Sequence, residues 1–310
     1  MKVVILGQDG MLLNLIRGSL LANMEICGVF RYERTLYSRL KMFFLDFFKS
    51  SPELTLMKKH KIKDLKLKSA NSKEFKKFLL KENIDILLVG TWREKLKKEI
   101  IDMPAIASIN VHPSLLPKYR GANPYLQTIL HGEKFSGVTF HLINEEFDAG
   151  AILAQEKIEI LDGDTSKELK NKTIFKARML CAELLPKLEN GLVIPVEQDN
   201  SQATYYPNVN PQDMTLDFEK ETSTEILRRV RAFYPFLPTY LQIDNTFFVT
   251  NPYEVTTLDI SGETGEILQK GTRTLTIATK DGKALKFGKL RLYKLGFLTQ
   301  KYIDKVIKVG

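Results

Sequence analysis

Short runs of apolar residues alternate with stretches of helical spacing through the first 200 residues of the chain. Val3–Leu6 is continuously apolar and ends at Gly7, and leucines then recur at helical spacing from Met11 to Leu21. In Ile84–Gly90 the apolar residues leave no polar face. A strand that is apolar on both faces must be covered on both faces, which is typical of a parallel sheet with crossover helices. The pattern predicts an α/β domain.

The same reasoning extends along the chain and predicts two domains. Further strands are expected at Ile26–Phe30, Ile106–Val111, Gly137–Ile143 and Ala151–Ile160, and helices at Thr35–Ser50, Ser72–Glu82, Arg93–Ile101, Asn123–Leu130 and Lys167–Glu189. Residues 201–211 have a linker composition, with two tyrosines and two prolines. Beyond a helix at Thr222–Phe233, residues 212–310 contain short strand-like runs. These runs are expected at Thr239–Ile243, Thr246–Val249, Gly265–Leu268, Thr274–Ala278 and Leu285–Leu292, and their spacing suggests a small β-barrel.

Composition excludes several classes of protein. The 310 residues include only two cysteines, Cys27 and Cys181, which excludes a disulfide scaffold and a thiolate zinc site. No apolar run reaches the roughly 18 residues that span a bilayer. We therefore expect a cytoplasmic protein that does not enter a membrane.

Positive charge is concentrated in two segments. The net charge is +9, from 46 Lys and Arg against 37 Asp and Glu. Ten lysines lie within Lys58–Lys81, and eleven basic residues lie within Lys270–Lys308. Such segments attract the phosphates of nucleic acids or nucleotides, but they are also compatible with an ordinary solvated surface.

Two polar residues end a predicted buried strand. Asn110 and His112 lie on the same face by the alternation of a strand, which stops at Pro113. Ligands bind at the carboxyl ends of strands in open α/β sheets. An amide that donates to a developing oxyanion, beside an imidazole that moves a proton, suits acyl transfer. The alternative is a capping asparagine and a hydrogen-bonded core histidine.

Asp148 is the third candidate, because the small residues Ala149 and Gly150 after it let a loop pass close to a ligand. Its carboxylate could hold His112 in one tautomer. We interpret the nearby His141, Glu145 and Glu146 as loop or sheet-face residues. The chain lacks the glycine-rich dinucleotide fingerprint, a metal-ligand spacing and a serine nucleophile motif.

Together these residues resemble a known family. The ordered motifs are Asn110-x-His112-Pro-Ser-Leu-Leu-Pro-x-Tyr-Arg-Gly-x-x-Pro124, Gly137-Val-Thr, Asp148-Ala-Gly-x-Ile and, later, Leu227-Arg-Arg-Val-Arg-Ala-Phe. They resemble the formyltransferases that use 10-formyltetrahydrofolate. The resemblance implies a Rossmann-like catalytic domain over residues 1–200 and an open barrel of OB type over residues 212–310. It also implies that Asn110, His112 and Asp148 are catalytic and that no metal takes part.

The resemblance further implies which residues bind folate. Ser114, Leu115, Leu116 and Pro117 correspond to the family's folate-binding segment. The stretch from Leu88 through Gly90 to Trp92 corresponds to the strand end against which the pteridine lies. The formyl group would pass from the folate to a primary amine.

The amine acceptor is less clearly indicated. The resemblance and the basic segments favour initiator methionyl-tRNA. Members of the family that act on this tRNA usually carry Gly-Thr-Pro after the first strand, where this chain has Gly7-Gln8-Asp9, and a basic Gly/Pro-rich loop where it has the phenylalanine-rich Thr35–Ser50. Both departures favour a nucleotide-linked amino sugar. Hydrolysis of formyl-folate and a non-enzymatic RNA-binding module remain as alternatives.

Overall fold

The computed structural model describes residues 1–31, 51–243, 246–271 and 273–293. Backbone contacts divide the chain into two compact units. The first unit comprises residues 1–121, 136–159 and 171–205, and the second comprises residues 122–135, 160–170 and 206–310. The expected helix at Thr35–Ser50 lies outside the described residues. The expected boundaries at 201–211 stay a prediction.

The first unit is built on a six-stranded sheet in the order β2-β1-β3-β4-β6-β7. Its strands are β1 (Lys2–Gly7), β2 (Glu25–Arg31), β3 (Ile86–Gly90), β4 (Ala107–His112), β6 (Phe135–Leu142) and β7 (Ile152–Glu159), with the short β5 (Arg120–Gly121) between them. The strands β2, β1, β3 and β4 are parallel neighbours, and β6 is antiparallel to β4. The predicted α/β class with a mainly parallel sheet is confirmed.

The helices cover both faces of this sheet, as the apolar strands require. They are α1 (Asp9–Leu21), α2 (Pro52–Lys59), α3 (Lys73–Glu82), α4 (Lys98–Ile101) and α6 (Ser166–Glu189). Val3 and Ile5 pack in one core cluster, which includes residues of α1 and α6, whereas Val4 and Leu6 pack in a second cluster with α3. Alternate residues of one strand therefore enter opposite cores.

One predicted helix is much shorter than its sequence pattern indicates. The pattern predicts a helix over Arg93–Ile101, but α4 begins at Lys98. The carboxylate of Glu94 instead accepts hydrogen bonds from the Ser69 hydroxyl, the Ala70 N–H and the Asn71 amide. These bonds tie residues 91–97 to the preceding loop, and tertiary contacts override the local helical tendency. Helix α2 was not predicted.

The second unit combines short helices with small antiparallel sheets. Helices α5 (Pro124–Leu130) and α7 (Ser223–Phe233) pack together. One sheet has the order β11-β14-β13-β12 and another the order β15-β10-β9. Their strands, which follow the short β8 (Tyr205–Tyr206), are β9 (Tyr240–Ile243), β10 (Thr246–Val249), β11 (Val255–Leu258), β12 (Ile267–Lys270), β13 (Leu275–Ala278), β14 (Ala284–Phe287) and β15 (Arg291–Leu292). The small antiparallel strands are confirmed, while their closure into an OB-type barrel stays a prediction.

Two details of this unit differ from the sequence pattern. The single strand expected at Leu285–Leu292 is divided, because Lys289 takes a left-handed backbone conformation (φ 47°) between β14 and β15. Strand β11 was not predicted, although it pairs along its whole length with β14. Across the described part of the chain, no helix is both long and apolar enough to cross a membrane.

Candidate active site

Strand β4 presents Asn110 and His112 at the carboxyl edge of the parallel part of the sheet. His112 is 4% exposed, whereas Asn110 is half-buried. The antiparallel neighbour β6 pairs His141 with Asn110 and Thr139 with His112. His141 therefore lies directly opposite Asn110. The predicted pair of polar side chains, Asn110 and His112, therefore has a third polar neighbour, His141, on the adjacent strand.

The backbone after β6 turns sharply to bring Asp148 back to this edge. Asp148 has a left-handed conformation (φ 55°), which is uncommon for any residue other than glycine. A Cβ atom at Gly150 would lie 1.9 Å from the Leu142 carbonyl oxygen, so only glycine fits there. Gly150 thus allows a close approach to the end of β6, while the approach to a ligand that the sequence indicates stays a prediction.

The Asp148 carboxylate is the centre of the cluster. Its Oδ1 lies 3.2 Å from Asn110 Nδ2, which donates to it, and 3.3 Å from His112 Nδ1. Its Oδ2 accepts the Gly121 backbone N–H at 3.0 Å. Asn110 and His112 are therefore both brought into contact with Asp148, from which they lie up to 38 positions away in the chain.

The hydrogen bonds of His112 identify the nitrogen at which it exchanges a proton. Nε2 lies 2.8 Å from the Tyr119 carbonyl oxygen, which can only accept, so Nε2 carries a hydrogen. Nδ1 faces Asp148. Protonation of His112 therefore takes place at Nδ1, where the resulting N–H donates to the carboxylate.

The surroundings of Asp148 favour its ionised form. Burial alone would raise the pKa of this carboxyl, but the charge and hydrogen bond of protonated His112, together with the hydrogen bond from the Gly121 N–H, hold the pKa well below its usual range. Asp148 is therefore a carboxylate at neutral pH. It can orient His112 and stabilise the positive imidazolium.

His141 is a sheet-face residue of β6, one of the two positions that its interpretation allowed, and it also belongs to the cluster. Its Nδ1 donates to the Leu142 carbonyl oxygen at 2.8 Å, so Nε2 is left as an acceptor 3.1 Å from Asn110 Nδ2. Its Nε2 also lies 3.7 Å from Asp148 Oδ1. The sequence signal was its position opposite Asn110, which requires the β4–β6 register to recognise. Glu145 and Glu146 are exposed in the loop before Asp148.

The segment expected to bind folate forms an ordered turn after β4. Ser114 is fully buried, its hydroxyl donates to the Lys118 carbonyl, and its own carbonyl accepts from Thr139. The backbone N–H of Leu116 donates to Thr139 Oγ1, and its carbonyl accepts from Gln155. Leu115 and Pro117, which forms a cis peptide with Leu116, are half-buried and present the more accessible surface of this turn.

The second expected group lies on and beyond β3. Leu88 is fully buried in the core. Gly90 pairs with Gly7 and Val111 at the strand end. Trp92 is half-buried and lies edge-on to Phe30 at 5.0 Å. Of these three positions, Trp92 alone offers an accessible side chain.

The described residues contain no cluster of His, Cys, Asp and Glu that could hold a metal ion. The chemistry of the donors present suits a carbonyl substrate. Asn110 is the most accessible member of the cluster, since it is half-buried, whereas the side chains of His112 and Asp148 are 5% and 11% exposed. An amide N–H, a carboxylate and an imidazole thus converge on one edge.

Comparisons with known proteins agree with this arrangement. Residues 46–185 match the family described as "Formyl transferase", and residues 208–295 match "Formyl transferase, C-terminal domain". The chain is 32% identical to the methionyl-tRNA formyltransferase of Thermotoga maritima over 234 residues, which are 75% of this chain and 74% of that protein. Both the catalytic region and the C-terminal region therefore have counterparts.

Two solved structures share the fold. An N-formyltransferase from Helicobacter canadensis, in complex with folinic acid and dTDP-3-aminofucose, aligns with a TM-score of 0.65 at 19% identity, covering 94% of this chain and 100% of that one. HypX from Aquifex aeolicus, in complex with tetrahydrofolic acid, aligns with a TM-score of 0.62 at 17% identity, covering 95% of this chain but only 44% of HypX. By the family match and by the Thermotoga relative, the chain belongs to the formyltransferase family and is an enzyme.

Proposed function

We propose that this protein transfers the formyl group of 10-formyltetrahydrofolate to the amine of initiator methionyl-tRNA. The observation that carries the proposal is the contact of Asn110, His112 and Asp148 at the carboxyl edge of the sheet. The identity of the reaction rests on the family, and the roles of the residues rest on their geometry.

The three side chains have different tasks in the proposed reaction. 10-Formyltetrahydrofolate, when bound, supplies the formyl carbon that the amine attacks. Asn110 would donate an Nδ2 hydrogen to the oxygen on which negative charge develops. Both hydrogens of that amide have acceptors, Asp148 and His141, so the oxygen would replace one of them.

His112 would accept the proton that the amine loses, and Asp148 would stabilise the protonated imidazole. In its neutral form His112 carries its hydrogen on Nε2, which is bound to the Tyr119 carbonyl, so it would accept the amine proton at Nδ1, directly or through water. Asp148 then faces the new N–H and stabilises the charge. A carboxyl whose pKa is held low is a weak base, so we assign Asp148 an orienting and electrostatic role.

We place the folate between the turn at residues 114–117 and the loop that begins after β3. Leu115 and Pro117 would contact it from one side, and Trp92 from the other. Ser114 and Leu116 would support this turn through their bonds to Thr139 and Lys118. A Cβ atom at Gly90 would lie 2.7 Å from Leu15 Cδ1, so Gly90 would act by letting α1 pack against the strand end, and Leu88 would act only through the packing of the core.

Charge and family both support a tRNA as acceptor. Nine of the ten lysines of the first basic segment, Lys58–Lys81, are exposed. The described part of the second segment also exposes its basic residues, which are Lys270, Arg273, Lys280, Lys283, Lys286, Lys289 and Arg291. A relative of 32% identity carries the name methionyl-tRNA formyltransferase. We also propose a cytoplasmic location, in which the free thiols Cys27 and Cys181 stay reduced.

A nucleotide-linked amino sugar is the second candidate acceptor. The Helicobacter canadensis N-formyltransferase, whose complex contains dTDP-3-aminofucose, aligns over its full length. The Gly7-Gln8-Asp9 turn in place of Gly-Thr-Pro also favours this acceptor. Both acceptors are anionic, so the presence of positive charge alone does not distinguish them.

A competition assay tests the acceptor directly. Charged initiator tRNA and a mixture of amino-sugar nucleotides are offered together with labelled 10-formyltetrahydrofolate at several salt concentrations. We expect the label on the tRNA, with a log affinity that falls by about 0.7 to 0.9 per phosphate contact for each unit of log salt. Label on the sugar alone, with a weak salt dependence, would establish the second acceptor. Label on neither, with release of formate, would indicate hydrolysis.

A further inference from the structure

The loop that carries Asp148 is held by a side chain 50 positions away. The amide nitrogen Nε2 of Gln198 donates to the carbonyl oxygens of Asp148 and Gly150, both at 2.8 Å. Gln198 is 8% exposed. A side-chain amide has two hydrogens, and here each one is bound to a carbonyl of the turn that positions the carboxylate.

Arg120 fixes the other end of the same amide. The oxygen Oε1 of Gln198 accepts from Arg120 Nε at 3.1 Å and from Arg120 Nη2 at 2.7 Å, and Nη2 also donates to Asn200 Oδ1 at 2.9 Å. This forked donation allows only one orientation of the amide, with its nitrogen toward the Asp148 turn.

The contacts form a closed ring around Asp148. Arg120 binds Gln198, Gln198 binds the backbone of Asp148, and the N–H of Gly121, the residue next to Arg120, binds the Asp148 carboxylate at 3.0 Å. The left-handed conformation of Asp148 is unfavourable for a residue with a side chain. Such conformations persist where several contacts determine them together.

We propose that Gln198, oriented by Arg120, is a positioning residue that keeps the Asp148 carboxylate on His112, Asn110 and the Gly121 N–H. The inference rests on the proposed function at one point, which is that Asp148 takes part in catalysis. Gln198 itself contacts backbone atoms and Arg120, so it acts through the turn. Its removal would leave the three proposed catalytic residues unsubstituted but free the turn that carries Asp148 to move.

The first experiment follows the Asp148 carboxyl by carbon-13 NMR during a pH titration of the full chain. The groups that face it are His112 on β4, His141 on β6 and the Gly121 N–H, with the Arg120 guanidinium behind Gln198. In Gln198→Leu we expect its pKa to rise by at least about one pH unit, because a displaced carboxylate loses its donors. The control Gln202→Leu removes an exposed amide that donates to Asp199 and should leave the titration unchanged. An unchanged Asp148 titration in Gln198→Leu would overturn the inference.

A second variant covers the case in which Gln198→Leu does not fold. Gln198→Met keeps the length of the side chain and adds no charge near Asp148, but it removes the amide that donates to the two carbonyl oxygens of the turn. We expect it to raise the Asp148 pKa as well. The titration needs no substrate, so it tests whether Gln198 positions the Asp148 carboxylate for either amine acceptor.

A double-mutant cycle measured on kcat then tests whether the positioning of Asp148 by Gln198 matters for catalysis. Gln198→Leu should lower kcat by about tenfold or more with little change in the KM for folate, and it should add nothing in an Asp148→Asn background. Equal effects in both backgrounds would indicate a merely structural role and overturn the inference. If Asp148→Asn itself retains full turnover, the proposed catalytic role fails, and the titration still decides whether Gln198 positions the carboxylate.

Discussion

At the scale of single residues, the contact of 3.3 Å between His112 Nδ1 and Asp148 Oδ1 determines what each group can do. We expect His112→Ala and Asp148→Asn each to lower kcat by two or more orders of magnitude, because their interactions strengthen in the transition state. Folate affinity, measured by calorimetry, should change little. Gln202→Leu is a suitable control, since it alters an exposed amide. Near-normal turnover of either variant would refute the role assigned to that residue.

His141 supports a separate residue-scale prediction. Its Nε2 accepts one of the two Asn110 amide hydrogens. His141→Leu should lower kcat by about tenfold, because a buried donor without an acceptor costs about 1–3 kcal/mol and lets the amide rotate. His141→Gln retains an acceptor and should recover part of the activity. Equal losses in the two variants would mean that packing, rather than this hydrogen bond, explains the effect.

At the scale of elements, the sequence pattern predicts those features that depend only on residues close together in the chain. The apolar runs of β1 and β3 predict strands buried on both faces, and the two core clusters agree. Asn110 and His112 follow from alternation within one strand. By contrast, His141 depends on the β4–β6 register, and Gln198 depends on a return of the chain from 50 positions away. The predicted helix at Arg93–Ile101 was wrong over its first half, because the Glu94 carboxylate binds a neighbouring loop.

The N-terminus of helix α7 gives a prediction of its own. Asp281 accepts the Ser223 N–H at 3.1 Å and the Ser223 hydroxyl at 2.7 Å. Partial burial alone would raise its pKa, but hydrogen bonds from Thr279 and Ser223 lower the pKa to about 2. Its unfolded value is about 3.9, so its stabilisation is complete above pH ~4 and is lost as the pH falls through about 2.

Hydrogen exchange of the first turn of α7 measures this contribution. Asp281→Asn should speed the exchange of the Ser223 amide at neutral pH, because the loss of a helix-capping acceptor costs about 1 kcal/mol. Wild-type exchange should approach that of the variant only at acid pH. The exposed Asp259 provides a control, since Asp259→Asn should leave α7 unchanged. If the wild type and Asp281→Asn exchange at the same rate at pH 7, Asp281 does not cap the helix.

At the scale of the whole molecule, positive charge is concentrated in two segments that belong to different compact units. Lys58–Lys81 lies in the first unit, and residues 270–291 lie in the second. Each segment offers more cations than the two phosphates of a sugar nucleotide can pair with, whereas a polyanion has many phosphates. Each phosphate contact that is lost reduces the slope of log affinity against log salt by about 0.7 to 0.9. The slope therefore reports how many cations the acceptor uses.

Charge reversal in either segment should then act on tRNA binding alone. We expect Lys66→Glu/Lys68→Glu in the first unit, and separately Lys283→Glu/Lys286→Glu in the second, to weaken tRNA binding and to flatten its salt slope by one to two contacts, at about 0.7 to 0.9 per contact. Turnover at saturating tRNA should be retained, because these side chains are exposed on elements other than β4 and β6. The matched control is Arg17→Glu/Lys187→Glu, which reverses two exposed charges outside both segments. If the control weakens tRNA binding as much as the two test pairs, only net charge matters. If no pair has an effect while a sugar nucleotide is formylated, the basic segments are solvated surface and the acceptor is the smaller anion.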